Sequence, residues 1–489
     1  MPLIPLQLPA GIYRNGTEYQ AKGRWLDSNL IRWSEGIMAP VGGWRLRATV
    51  TDKPPRGAVA WRDLASDRWV AVGTYEKLLV LAASGAVTDI TPAGLTVGTK
   101  DAATNSAYGG GFYGAETFGT PRAESAGVAA ATTWSLDNWG ENLVACSDAD
   151  GTIYEWTLNT ANDAVAITGA PTDNVGILVT DERFLFALGA GGNYRKVQWC
   201  DREDNTTWTP LATNEAGDIE LQTSGTIMQG IRTRGQTLIL TDNDAHAATY
   251  VGPPFVYGFE RVGNACGAIS RHAAVGYDGG ALWMSRDGFH RYTGGAVESI
   301  ACEVSDYVFS RLNRTQASKV TAVSNTSNDE IWWFYPNGAE NDSYVSFNYK
   351  ENHWAVGTLA RTSGIDSGVF RLPIWFSPAG VAYDHETGLD WGGAQPYAES
   401  GPIEAGVGEQ VLAAVELIPD ERTQGDVTAT FKTKFYPNDV EREYGPYGMA
   451  NPTSVRFSGR QISMRVTGNR LAAWRWGIPR LDIRAGGRR

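Results

Sequence analysis

The sequence predicts an all-β protein: a β-propeller of six or seven blades followed by a C-terminal antiparallel β domain. Three observations carry this. Glycine (57 of 489 residues) and tryptophan (18) are both abundant, and glycines mixed with aromatics and short apolar runs mean short strands joined by many turns. Strand-turn-strand units recur along the chain. Trp208, Tyr250 and Tyr292 fall 42 residues apart, within the roughly 40–45-residue repeat of four-stranded blades. One blade cannot bury both of its faces alone, so blades pack radially and close a ring. The competing arrangement is an irregular series of hairpins packed as sandwiches.

The unit on which the others are variations is residues 134–156, WSLDNWGENLVACSDADGTIYEW. Leu143, Val144 and Ala145 form a short apolar run. Asp150-Gly151 supplies the positive φ that a tight turn needs, and Ile153, Tyr154 and Trp156 open the next strand. Trp134, Trp139 and Trp156 offer large flat side chains to a packed layer.

At 489 residues the chain exceeds a single core, so at least two domains are expected. Residues 1–50 read as an N-terminal arm and edge strands, because Gly and Pro punctuate them too often for helices. Residues 51–395 hold the propeller. Its units centre on 69–92, 134–156, 177–210, 237–251, 281–292 and 330–356, with a possible seventh over 374–391. The Asp-Gly turn recurs at Asp287-Gly288. Two segments break the pattern. Residues 98–130, rich in Gly and Ala, read as a long loop between blades, of the kind that is usually functional. Val304, Tyr307, Val308 and Leu312 follow helical spacing, which predicts one helix near 303–320 that packs on the propeller. Residues 396–489 alternate as strands, notably Val427 to Tyr436 (VTATFKTKFY), and read as a separate antiparallel β domain.

Charge is uneven. Nine arginines stand against Asp482 alone from Asn451 to Arg489, so this segment carries +8 and the rest −20 within a net −12. Such asymmetry implies a basic surface that meets something acidic; solvated strand faces are the plainer reading. Cys146, Cys200, Cys266 and Cys302 lie far apart without CxxC spacing, which predicts buried free thiols. MPLIPLQLPAGIYR lacks a basic n-region and is not expected to be a secretory signal. No apolar run approaches a membrane span.

No pattern locates a reaction. Gly109-x-Gly111-x-x-Gly114 matches a dinucleotide fingerprint as a string, without the strand and helix that would make it one. Asp148-Ala-Asp150-Gly151 lacks the further acceptors of a calcium loop. Ser285-Arg-Asp287-Gly288 resembles part of the Asp-box of sialidase-like propellers, itself a turn motif. The five histidines (246, 272, 290, 353, 385) are scattered, and no HExxH, GxSxG or P-loop occurs. Catalytic, metal and cofactor residues are accordingly expected to be none.

Four stretches carry a family resemblance: Lys22-Gly-Arg-Trp25 through Pro40-Val-Gly-Gly-Trp44-Arg45; the 134–156 unit; VQWCDREDNTTWTP at 197–210; and GDVTATFKTKFYPN…EREYGPY…NPTSVRFSGRQISMRV at 425–466. In these the chain resembles the tail nozzle (tail tubular protein B-like) proteins of short-tailed bacteriophages. The resemblance implies a propeller with β-rich platform domains and a homohexameric ring below the head-to-tail adaptor. It implies a continued channel for viral dsDNA without sequence-specific binding, and attached tail fibres and a tip or needle protein. It also implies a location in the virion tail and no catalytic residues. An acidic channel wall would let DNA slide instead of adsorbing. On this reading the arginine-rich C-terminal domain, with Arg456, Arg460 and Arg465, is the expected docking surface for the adaptor or a neighbouring subunit, and contact with the host surface is possible. The competing function is a tail-associated propeller that binds or hydrolyses glycans, whose carboxylates would have to converge on one face. A cellular interaction scaffold is the third.

Overall fold

Leu78 and Val80 point to one side of their strand, Leu79 and Leu81 to the other, and all four are buried. A sheet with two apolar faces must be covered on both. The computed structural model, which describes residues 3–105, 127–403, 410–436 and 438–486, meets this demand with seven four-stranded antiparallel sheets arranged as blades. Their inner strands begin at Ala58, Trp134, Gly176, Ile227, Ala274, Thr321 and Ser363, and each lies beside the next, the seventh returning to the first. The protein is a seven-bladed β-propeller joined to a C-terminal β-sandwich. Successive inner strands start at similar intervals, except between the first and second blades, where the segment 90–133 is inserted.

Strand alternation builds each seam between blades. In blade 6, Ile331, Trp333 and Tyr335 pack toward blade 5, while Trp332 and Phe334 pack toward Trp375 of blade 7. Blades 7 and 1 meet through Ile374, Phe376, Val70, Val72, Leu79 and Leu81. Each such side chain contributes roughly 1.5–3 kcal/mol by leaving water, so a blade is held from both sides.

The arm and edge strands expected over 1–50 are distributed between the propeller and the C-terminal domain. Trp44–Thr49 is the outermost strand of blade 7, pairing antiparallel with Val381–His385 from the far end of the propeller. A ring whose last blade takes strands from both ends of the propeller cannot open without breaking that ladder. Upstream, Ile4–Pro5 and Trp25–Asn29 each join a sheet of the C-terminal domain. That domain has a four-stranded sheet (Ile4–Pro5, Arg480–Ala485, Leu412–Ile418, Thr453–Gly459) and a five-stranded one (Trp25–Asn29, Tyr397–Ser400, Gln461–Gly468, Val427–Lys434, Arg442–Gly448). Val427, Ala429 and Phe431 of one sheet and Val455, Phe457 and Leu481 of the other share a core that continues into blades 5 and 6. The platform is therefore built from both ends of the described chain and fused to the propeller.

The expected helix is two pieces: an α-helix over Ser305–Arg311 and a 3-10 helix over Arg314–Lys319. Val304, Val308 and Leu312 are buried on the face the spacing indicated. Leu312 is extended, and Asn313 accepts from Thr315 N through its side chain. A local bond of this kind competes with helix continuation.

Candidate functional site in the propeller channel

The inner strand of each blade has one edge without a partner in its own sheet, so its main-chain groups need partners elsewhere. In the channel, side chains of adjacent blades provide several. Ser135 Oγ donates to Ile177 O (2.8 Å) and accepts from Ile177 N (3.0 Å). Gln229 does the same for Ala274, donating to its carbonyl (3.0 Å) and accepting from its amide (3.2 Å). Asp137 accepts from Val179 N at 2.9 Å, and Arg232 donates both to Asp137 (3.1 and 3.2 Å) and to Val179 O (2.9 Å). Blades 2, 3, 4 and 5 are thus stitched by side chains that imitate a neighbouring strand. Burial pushes the Asp137 carboxyl up, and the Arg232 guanidinium and Val179 amide only partly offset it.

Asp137 and Arg232 stand where their inner strands end. Where the strands begin, Asp148 accepts from Thr133 N (2.9 Å) and Thr133 Oγ1 (3.0 Å) and pairs with Arg271. Burial raises the Asp148 carboxyl against the pull of Arg271. Beside it, burial lowers the His272 imidazole to about 4, opposed by its bond to the Trp134 main chain. His272 is therefore neutral at pH 7. The cavity between these groups holds about 410 Å³.

The same mouth has a second polar cluster. Arg56 donates bidentately to Glu340 (2.8 and 2.6 Å), and the fully buried Lys319 ammonium donates to Asp101 (2.5 Å) and Ala339 O (2.6 Å). Gln316 pairs with both main-chain groups of Ala102. These contacts anchor the start of the Gly/Ala-rich 98–130 segment beside the channel. Its residues 106–126, including the 109–114 glycine string, lie outside the described residues.

The turn residues sit on this side of the propeller and work differently. Gly151 has φ +69°, and a Cβ there would lie 2.6 Å from Asp173 Cα. Burial would raise the Asp150 carboxyl, but bonds from Thr152, Thr96 and Tyr154 outweigh it and hold it low. At Asp287-Gly288 the turn needs no left-handed residue: Ser285 N donates to Gly288 O (2.8 Å), and the Ser285 hydroxyl bonds both main-chain groups of Gly288.

The three arginines do not share a surface. Arg456 is exposed on the outer face of the four-stranded sheet, where the buried Val455 and Phe457 point inward. Arg465 is on the outer face of the five-stranded sheet, over the Tyr397 ring (3.7 Å) and 3.5 Å from Glu399, which Lys432 also binds. Arg460 occupies the turn between them, over Tyr436 (5.0 Å). All four cysteines are free, three of them buried. Burial raises the thiols of Cys200 and Cys302 to about 12 and that of Cys266 to about 11, which keeps them protonated and unreactive. Among the described residues no group of His, Cys, Asp or Glu is arranged to hold a metal ion.

Sequence reasoning missed a doubly bidentate charged joint. Arg32, on the hairpin Ile31–Ser34/Ile37–Pro40, donates bidentately to Glu330 of blade 6 (2.8 and 2.7 Å) and to Glu386 after blade 7 (3.0 and 2.7 Å). Nothing in residue spacing signals partners 298 and 354 positions away.

The chain matches no family model and no curated protein. Among solved structures it is similar to virginiamycin B lyase from Staphylococcus aureus (10% identity, 69% of this chain and 96% of that one, TM-score 0.43). It is also similar to the WD40 β-propeller domain of Doa1 (13%, 70% and 97%, TM-score 0.41) and to BamB from Moraxella catarrhalis (12%, 74% and 96%, TM-score 0.38).

Proposed function

We propose that this protein is a structural, non-enzymatic component of a short-tailed phage tail. In this reading it is a ring-forming nozzle that extends the DNA-ejection channel below the head-to-tail adaptor and carries fibres or a tip protein. The observation that carries the proposal is where the resemblance-bearing stretches fall. Pro40 to Arg45 runs into the strand that closes blade 7. Residues 134–156 make the stitched inner strand of blade 2 and its neighbours, and 425–466 builds strands of both platform sheets. On this reading, three of the four stretches that carry the resemblance fall at joints of the body, as expected of a rigid structural part. The channel supports the same reading: Ser135, Asp137 and Gln229 bond main-chain groups of adjacent blades and so hold the ring of blades together.

The test is the mass of the purified chain, alone and mixed with virion components, by light scattering with negative-stain imaging. A six-fold ring with a central hole is expected. A persistent single chain in both samples would overturn the ring, and glycan screening would then be the next experiment.

A further inference from the structure

We propose that the groove where blades 3 and 4 meet binds an acidic saccharide, a sugar that carries a carboxylate. The groove is complete within one chain, so the proposal does not depend on the ring. Its centre is His246, on the third strand of blade 4 (Asp244–Gly252), with a side chain only 4% exposed. Asp244 Oδ1 accepts from Thr223 Oγ1 (2.8 Å), Thr241 Oγ1 (2.6 Å) and His246 Nε2 (3.2 Å). A carboxylate only accepts, so this bond fixes a proton on Nε2 and leaves Nδ1 for another partner. Nδ1 has none among the described residues, and the ring lines a cavity of about 370 Å³ with Gln222, Phe259 and Arg261. An imidazole held this firmly by one nitrogen presents the other to whatever enters.

The strand pairing sets a cation beside it. A bulge shifts the register between Ala245 and His246, so that His246 lies opposite Arg261, and bulges re-aim the side chains around them. Arg261 is exposed and makes no ion pair among the described residues. The stretch 219–226 lines this cavity and continues along a second one of about 390 Å³, which Asn193, Tyr194, Arg195 and Ser224 also line. Tyr194, Arg195, Gln222 and Ser224 are exposed, so the groove is open to solvent. Its amides, hydroxyls and imidazole can both donate and accept, as sugar hydroxyls do. Tyr194, 60% exposed, adds an apolar ring face with a polar tip. Two cations, Arg195 and Arg261, stand against Glu220 alone, which Arg195 pairs. One positive charge in excess, in a chain of net −12, suits a single carboxylate. In this assignment Arg261 takes the carboxylate, His246 Nδ1 bonds a neighbouring hydroxyl and Tyr194 packs on a further sugar ring.

The test is calorimetry on the full-length chain with two acidic probes, a hyaluronan tetrasaccharide and a sialic acid tetramer, and with neutral chitotetraose. At least one acidic probe is expected to bind, at least tenfold more tightly than chitotetraose. Arg261→Gln and His246→Gln are each expected to weaken that binding at least tenfold, the loss of a charge-assisted or buried hydrogen bond. The glutamine amide at 246 can still donate to Asp244, so the thermal midpoint should hold. Arg261 is exposed, and its variant keeps the test decisive even where His246→Gln unfolds the chain. No binding of either acidic probe overturns the proposal, as does equal binding of chitotetraose or acidic binding that survives Arg261→Gln. Binding of oligothymidylate in place of the saccharides would make the groove a nucleic-acid site and overturn it likewise.

Discussion

Among single residues, Gly151 and Gly288 occupy look-alike turns with opposite tolerances. A Cβ at Gly151 would strike main chain at a left-handed φ, whereas at Gly288 the nearest atom is Ser285 Oγ at 3.8 Å. Gly151→Ala is expected to cost at least about 1–2 kcal/mol and Gly288→Ala well under about 1 kcal/mol by denaturant titration. Arg32 holds two carboxylates that are nearly out of solvent, and burial is overcome so that Glu386 stays ionised. Arg32→Met leaves both unpaired and should cost about 3–5 kcal/mol, read as a lower denaturant midpoint. Burial lowers the His272 imidazole to about 4 in the fold, against an ordinary value of about 6.5 when unfolded. Its folded value is depressed, so the unfolded chain takes up the proton first. The contribution is complete above pH ~6.5 and is lost as pH falls toward 4, roughly 3 kcal/mol in all. His290, His353 and His385 are lowered in the same direction by burial, while the raised Asp137 and Asp148 oppose them. The comparison of wild type with His272→Gln isolates the one group: the variant's stability should fall less steeply between pH 6.5 and 4.

Among the elements, the strand Trp44–Thr49 is as integral to blade 7 as the far-downstream strands that it completes. Its amides near Leu46 and Ala48 are expected to exchange with solvent in the same slow phase as those of Ile374–Phe376; fast independent exchange would mean that the ring opens at this seam. Most blades were legible because each is local. Alternation, an Asp-Gly turn and an aromatic strand close together in the chain suffice to mark 134–156 as a hairpin. The outer strand of blade 7 was not legible, because its partner is far off in sequence and an edge strand looks alike whichever sheet it joins. The broken helix at Leu312 escaped for a related reason: apolar spacing reports the buried face, not the cap at Asn313 that interrupts it.

Across the molecule as a whole, the platform divides the arginines that the sequence grouped. Arg465 is committed within the chain to Glu399 and Tyr397, while Arg456 projects from the opposite sheet. Arg465→Ser is expected to lower the thermal midpoint of the single chain. Arg456→Ser should leave that midpoint unchanged. Equal effects of the two on the single chain would show that the outer faces are not so divided in solution.

Residue order alone was enough for the repeating local unit: strand period, turn chemistry, blade spacing and the alternation of the C-terminal strands are all set by neighbours within one hairpin. The folded chain was needed to learn which strand closes the ring, that both ends of the described chain build the platform, and that Ser135, Asp137 and Gln229 serve as stitches between blades. Those outcomes depend on contacts between residues far apart in the chain. Side-chain alternation along one strand states that a face is buried but not which surface buries it.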